Sequence, residues 1–270
     1  MSSAQATSAA RPAGLHVASE GSGPDLVLVH GWGLHSGVWA GVRAALALGF
    51  RVTLVDLPGH GASGLEGPFT LSAVAAQLLA AAPPQALWVG WSLGGLLSLY
   101  IAARHPARVR ALVLAAATPR FVRAADWPAA MDPATFDQFA AELERDHRAT
   151  LKRFLALQTL GTPQARSTLQ ALQRACLEGP PPAPEALRGG LDILRHADLR
   201  SELGRVRCPV LLYMGERDRL VPAAGGAQIA AALPHAQLQL VPGAGHAPFV
   251  SQPRAFVEAL ERFAHDTATR

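Results

Sequence analysis

Residues 87–102, LWVGWSLGGLLSLYIA, pass from one structural period to another around a single serine. Leu87, Trp88 and Val89 end a continuous apolar run, as in a strand buried on both faces. Leu93, Leu96, Leu97 and Tyr100 then recur at helical spacing. Ser92 stands at the junction, inside Gly90-Trp91-Ser92-Leu93-Gly94 and followed by Gly95. A G-x-S-x-G junction is a sharp strand-to-helix corner, where a Cβ at either flanking glycine would strike the neighbouring strand or helix. It exposes the serine Oγ and aims the first N–H groups of the helix at any negative charge formed nearby. A glycine-rich turn whose serine merely caps the helix has the same pentapeptide, so the flanking sequence has to decide between the two.

Working outward, the same strand-then-loop pattern recurs. Asp25–Gly33 (DLVLVHGWG) is an apolar strand ending in a glycine-flanked turn, and Phe50–Gly64 (FRVTLVDLPGHGASG) is a strand followed by a Pro/Gly loop. Gln85–Gly95, Val109–Pro119, Cys208–Asp218 and Ala236–His246 supply four more. Helical periodicity lies over Ser36–Leu48, Leu71–Ala82, Leu93–His105, Ala223–Leu233 and Gln252–Ala264. Strand and helix in alternation, with near-continuous apolar strands, predict an α/β fold: a mostly parallel sheet with helices on both faces. The alternation is interrupted once, from about Arg120 to Asp198, by a more polar helical stretch divided by the run GPPPAPEA (Gly179–Ala186). The expected organisation is a disordered lead-in over residues 1–13, a core of residues 14–119 and 199–270, and an inserted helical cap of residues 120–198. Such a cap would lie over the carboxyl ends of the strands, where open α/β sheets bind ligands.

Bulk properties narrow the class. Of 270 residues, 50% are hydrophobic and 16% charged, the balance of a globular chain. Apolar stretches are broken by Gly, Pro or charge before they reach spanning length, so no membrane association is expected. The N-terminal MSSAQATSAARPAG is small and polar, without the apolar centre of a signal peptide. Only Cys176 and Cys208 occur, which gives neither a disulfide framework nor a metal-ligand cluster. A cytoplasmic monomer without metal or cofactor is the expectation. The net charge of +4 comes with many arginines and one lysine, Lys152, but with no basic run and no basic-aromatic interleaving. Nucleic acid is therefore not an expected partner.

A serine nucleophile needs a base, and the base needs an orienting carboxylate; on this architecture the chain order is serine, acid, histidine. Asp218 follows the strand Val210–Met214, and His246 follows Leu238–Val241 in a glycine-rich loop, so both fall on the same sheet edge as Ser92. Glu216 is the rival acid. Asp56 precedes Ser92 in the chain and reads as a cap of the following turn. His30 reads as a brace of the HGWG turn, and His60 as part of a surface-type loop. His16, His235 and His265 lie outside strand-end loops, His105 precedes a proline, and His147 and His196 fall in the cap. An oxyanion hole takes two backbone N–H groups. Leu93 offers one and Trp32 the other, with Gly31 and Gly33 letting that backbone turn inward.

The motifs HGWG, DLPGHGAS, GWSLGG, GERDRLVP and GAGHAPF together resemble the α/β-hydrolase superfamily, from about Gly14 onward. Trp91, Trp32, the stretch Arg153–Thr162 (RFLALQTLGT) and Gly189–Arg200 (GGLDILRHADLR) are similar to a narrower family within it. That family comprises the pimeloyl-[acyl-carrier protein] methyl ester esterases of biotin synthesis. The resemblance implies hydrolysis of a methyl ester on a pimeloyl group borne by acyl carrier protein. It also implies that Trp32, Ser92, Leu93, Phe154, Leu155, Ala156, Leu157, Gln158 and His246 contact the acyl chain and ester. An amphipathic helix packed on the core would account for Phe154–Gln158 as well. The family's cap arginines, which bind the acidic carrier, fall at Arg153 and Arg166. Its other two positions hold Ala149 and Gln170 here, with Arg148 and Arg174 close by. Other readings of the same residues are a short-chain carboxylesterase, a carbon–carbon bond hydrolase, or a non-catalytic ligand receptor.

Overall fold

The structure is a computed structural model that describes residues 14–177, 179–233 and 235–268, so the lead-in expected over residues 1–13 lies outside the described residues. The strands are β1 (Val17–Glu20), β2 (Asp25–Val29), β3 (Arg51–Val55), β4 (Ala86–Trp91), β5 (Val109–Ala115), β6 (Val210–Gly215) and β7 (Ala236–Val241). They form one sheet in the order β1-β3-β2-β4-β5-β6-β7. β1 pairs antiparallel with β3, and every other pair is parallel. The six strands read from the sequence are present. β1 is additional: Val-Ala-Ser-Glu is a short, half-exposed edge with no apolar run to announce it.

The helices between strands follow the predicted alternation, with two breaks. Ser36–Trp39 is a tight 3-10 turn, whose cap His35 accepts from the Gly37 N–H, and only then does α1 (Ala40–Leu46) begin. α2 (Leu71–Ala81) is capped by Thr70, and α3 (Leu93–Arg104) starts directly after Ser92. Among the described residues four helices lie between β5 and β6: α4 (Pro133–Arg145), α5 (His147–Leu157), α6 (Ala165–Leu177) and α7 (Pro184–His196). No regular strand occurs among the described residues there, only the single-residue bridges Val122–Met131 and Ala124–Trp127. α8 (Ala224–Ala232) links β6 to β7. The last predicted helix is split into α9 (Pro248–Ser251) and α10 (Pro253–Ala268). Pro253 pushes Gln252 out of the helical region, to φ −135° and ψ 64°.

Alternation along the strands sends side chains to both faces of the sheet. Val27 and Val29 of β2 pack with Val74 and Leu78 of α2 and with Leu96 and Leu97 of α3. Leu26 and Leu28 pack on the other face with Val42 and Leu46 of α1 and Phe256 and Leu260 of α10. β4 is buried along its whole length, as is β6. The strands that lead into Ser92 and into the loop of Asp218 are therefore close-packed on both faces.

The segment between β5 and β6 leaves and returns at one place. The Leu199 N–H donates to the Pro119 carbonyl at 2.9 Å, and Arg120 Nη1 reaches Asp198 Oδ2 at 2.7 Å. Arg200 grips the same carboxylate and, with Arg120, holds Asp198 well below the usual carboxylate range despite its partial burial. No helix among the described residues is long and apolar enough to cross a membrane.

Candidate active site

Ser92 has φ 54° and ψ −117°, one of two positive-φ residues other than glycine among those described. The conformation is held from outside: its N–H donates to Ala115 O at 3.1 Å, and a Cβ on Gly90 or Gly94 would run into backbone. The Ser92 side chain makes no capping bond to α3, which removes the plain helix-cap reading of the pentapeptide. Instead Oγ lies 2.9 Å from His246 Nε2, and His246 Nδ1 lies 2.8 Å from Asp218 Oδ2. Because a carboxylate only accepts, Nδ1 carries the proton and Nε2 keeps its lone pair toward Oγ. Asp218 Oδ1 accepts from the N–H groups of Leu220 and Val221 at 2.8 and 2.9 Å. All three side chains are buried: Ser92 is 7%, Asp218 6% and His246 1% exposed. Low dielectric strengthens each of these bonds.

Glu216 faces elsewhere, accepting from the Gly243 N–H at 2.8 Å. The turn after β2 packs directly on the elbow: a Cβ on Gly31 would stand 3.2 Å from Ser92 Cβ. Neither the Trp32 nor the Leu93 N–H has a protein acceptor among the described residues. The Trp32 indole is already engaged, donating from Nε1 to Leu187 O at 2.8 Å, so the ring serves as an apolar wall. It meets Phe154 and Phe139 edge-on, with centroids 5.2 and 5.5 Å apart.

Two histidines brace that turn. His30 Nδ1 donates to Gly31 O and Nε2 accepts from the Leu57 N–H, both at 2.8 Å. Complete burial lowers its pKa to about 4. His60 corrects the sequence reading: it is fully buried, not part of a surface-type loop. Its Nδ1 lies 3.0 Å from Pro58 O, and the Gly33 N–H approaches Nε2 at 3.4 Å. The Pro/Gly loop is inward because the start of α7 covers it, with the Ala183 N–H donating to Gly59 O at 2.8 Å. Asp56 gathers its other side, accepting from the Ser36 and Ala62 N–H groups at 2.7 and 2.9 Å. Burial opposes ionisation of Asp56, but Coulombic coupling to the His30 imidazole and these bonds leave its pKa lowered.

The five residues Phe154–Gln158 are separated by the turn of α5. Phe154 and Leu157 line an apolar cavity with Trp32, Phe139, Leu191 and Leu220. Leu155 packs on the opposite side with the second core cluster, and Ala156 is exposed. Gln158 is 2% exposed, its amide N and O have no protein partner, and its carbonyl accepts the His246 N–H at 3.0 Å. The arginines are likewise dispersed. Arg153 pairs with Glu142 at 2.9 Å, Arg148 lines a cavity of about 410 Å³ beside Lys152, and Arg174 lines a different one near Ser36. Arg166 is exposed at the start of α6.

Sequence reasoning missed two anchors of the histidine loop. Trp91 Nε1 donates to His246 O at 2.7 Å, and Gln158 O receives the His246 N–H at 3.0 Å. No local signal marks them, since each joins residues far apart in the chain.

The alpha/beta hydrolase fold family pattern matches residues 24–253. The chain is 51% identical over 250 residues to the pimeloyl-[acyl-carrier protein] methyl ester esterase of Xanthomonas oryzae pv. oryzae, covering 92% of this chain and 98% of that one. It is 45% identical over 252 residues to the esterase of that name from Nitrosomonas europaea, covering 92% and 99%. Among solved structures, a bromoperoxidase from Bacillus anthracis superposes with TM-score 0.84 at 25% identity, over 93% of this chain and 95% of that one. Esterase RhEst1 from Rhodococcus sp. ECU1013 gives 0.76 at 29% identity, over 92% and 94%. These matches span nearly the whole chain, and it belongs to the α/β-hydrolase fold family and, within it, to the pimeloyl-[acyl-carrier protein] methyl ester esterases.

Proposed function

We propose that this chain is a serine esterase that hydrolyses the methyl ester of pimeloyl-[acyl-carrier protein], releasing methanol and the free distal carboxylate. The observation that carries this reading is the unbroken row from Ser92 Oγ through His246 to Asp218 Oδ2, in a chain half identical to esterases of that name. Ser92 Oγ attacks the ester carbonyl while His246 Nε2 takes its proton, and Asp218 steadies the resulting imidazolium. The Trp32 and Leu93 N–H groups, without acceptors of their own, hold the developing oxyanion. Collapse expels methanol, which leaves with the proton from His246. Water, deprotonated by the same nitrogen, then attacks the acyl-enzyme, and Ser92 recovers its hydrogen. No metal or cofactor enters these steps.

The segment 120–198 acts as a cap in this reading. Phe154 and Leu157 receive the acyl chain beside Trp32. Arg148, Arg153, Arg166 and Arg174, all exposed, turn positive charge toward an acidic carrier. The test is to incubate the purified protein with carrier-bound pimeloyl methyl ester and follow the loss of the methyl group by mass. Wild type should release methanol and Ser92→Ala should not. Turnover of p-nitrophenyl butyrate with no action on the carrier-bound ester would leave a general esterase, and no turnover of either would leave a receptor.

A further inference from the structure

His246 is fastened through its backbone as well as its ring. Its carbonyl takes the Trp91 indole N–H from the core at 2.7 Å, and its N–H reaches the Gln158 carbonyl, at the end of α5, at 3.0 Å. The residues after Gln158 reinforce the second anchor. Arg217 Nη1 donates to Gly161 O at 2.8 Å, while the Arg217 N–H donates to Ala244 O at 2.8 Å. A Cβ on Gly243 would stand 3.6 Å from Pro163, and one on Gly245 would stand 3.0 Å from Thr162 Cγ2 and collide with the Gln158 carbonyl. Residues 158–163 are thus seated between the loop bearing Asp218 and the loop bearing His246. The turn is stiff, because Thr159 and Thr162 hydroxyls close back on Ala156 O and Thr159 O at 3.1 and 2.8 Å.

The helix that ends in this turn also forms a wall of the acyl cavity through Phe154 and Leu157. That cavity measures about 40 Å³, space for a few waters and too little for an alkyl chain of several carbons. A chain that enters must part the walls, and a packed helix moves as a unit.

We propose that α5 and the turn 158–163 form a positioning device for His246, through which an acyl chain wedged against Phe154 and Leu157 sets the place of the catalytic base. This rests on the Ser92–His246–Asp218 reading above. Misplacement of a reacting group by about 1 Å costs on the order of 10²-fold in rate, so a small displacement of Gln158 reaches the chemistry. Arg217 allows the device to be loosened from the surface: it is exposed, and its removal leaves the core untouched.

Arg217→Ala, Arg217→Lys, Ser92→Ala and wild type are compared on p-nitrophenyl acetate and p-nitrophenyl hexanoate, with kcat, KM and thermal melting measured for each. Arg217→Ala should lower kcat on the acetate about tenfold with KM little changed. On the hexanoate its loss should be under about threefold, because the longer chain reseats α5. Arg217→Lys, which keeps a cationic donor, should recover most of the rate. The defect should persist at high salt, where a lost distant charge would be screened. Wild-type kcat on the acetate, equal losses on both esters, or a change in KM alone would overturn the proposal. Should Arg217→Ala melt early, the acetate-to-hexanoate ratio of Arg217→Met, which keeps the side chain's bulk but loses the donor to Gly161 O, carries the comparison. An active Ser92→Ala would instead sink the nucleophile assignment.

Discussion

At the scale of the residue, Ser92 pays in backbone strain for the placement of its hydroxyl. Its φ of 54° is unfavourable for any residue with a Cβ, a strain of about 1–3 kcal/mol, and its side chain caps nothing. Ser92→Ala should therefore abolish ester hydrolysis, by about 10⁴- to 10⁶-fold in kcat, with almost no change in melting temperature. Ser92→Gly should be equally inactive yet more stable than Ser92→Ala by about 1 kcal/mol, since glycine accepts positive φ. Calorimetry of the pair decides it, and a less stable glycine variant would mean that the corner is not strained. For the acid, Asp218 accepts three hydrogen bonds, two from backbone N–H groups and one from His246. An amide in its place turns a donor toward the imidazole or the backbone, so Asp218→Asn should lose about 10⁴-fold in kcat while staying folded. Glu216→Gln, whose side chain accepts from the Gly243 N–H and faces away from His246, should stay near wild type. Steady-state kinetics in which the two effects are reversed would make Glu216 the acid.

At the scale of the element, the turn after β2 is held by a buried neutral histidine, and this gives it a pH dependence. His30 has a folded pKa of about 4 against 6.5 for the free side chain, because burial disfavours the charged form. Between those values the unfolded chain binds the extra proton, so stability should rise with pH across this window and fall as the solution is acidified from 6.5 toward 4. The full swing is on the order of 3 kcal/mol. Denaturant melts across that range should show the slope in wild type and a shallower one in His30→Asn; identical slopes would assign the dependence to other groups. Elements also differ in how far the sequence discloses them. β2, β4, β5 and β6 are buried almost throughout and read as continuous apolar runs. Ser92 and Asp218 are legible as candidates because each follows such a run, whereas His246 follows the half-exposed, alternating β7 and is marked instead by its glycine-rich loop and its place after the acid in the chain. β1 is four half-exposed residues whose pairing with β3 is a long-range event, so nothing local reveals it. His60 misleads for a related reason: its loop has surface composition and is covered by the start of α7, which arrives more than a hundred residues later in the chain.

At the scale of the whole molecule, the charge pattern of the outer helices bears on partner choice. Arg153 is tied to Glu142, so Arg153→Glu would set two carboxylates together and disturb α4 and α5 on its own account. Arg153→Gln with Arg166→Glu is the cleaner change. It should raise KM several-fold for a carrier-bound ester at low ionic strength and leave a free small ester unaffected, as expected for electrostatically steered association. Equal kinetics on the carrier-bound ester at low and high salt would reduce these arginines to solvated surface. The segment proposed for recognition packs on the core at several places but enters and leaves it at one. Residues 120–198 depart after Pro119 and rejoin at Leu199, whose backbones share one hydrogen bond, with Arg120 and Asp198 clasped beside it. A segment whose two ends meet imposes no length on itself and no register on the sheet. The four helices can therefore be exchanged for a cassette of another size while β5 and β6 stay paired, so the cavity lined by Phe154 and Leu157 can diverge in evolution without any change in the strands that carry Ser92 and Asp218.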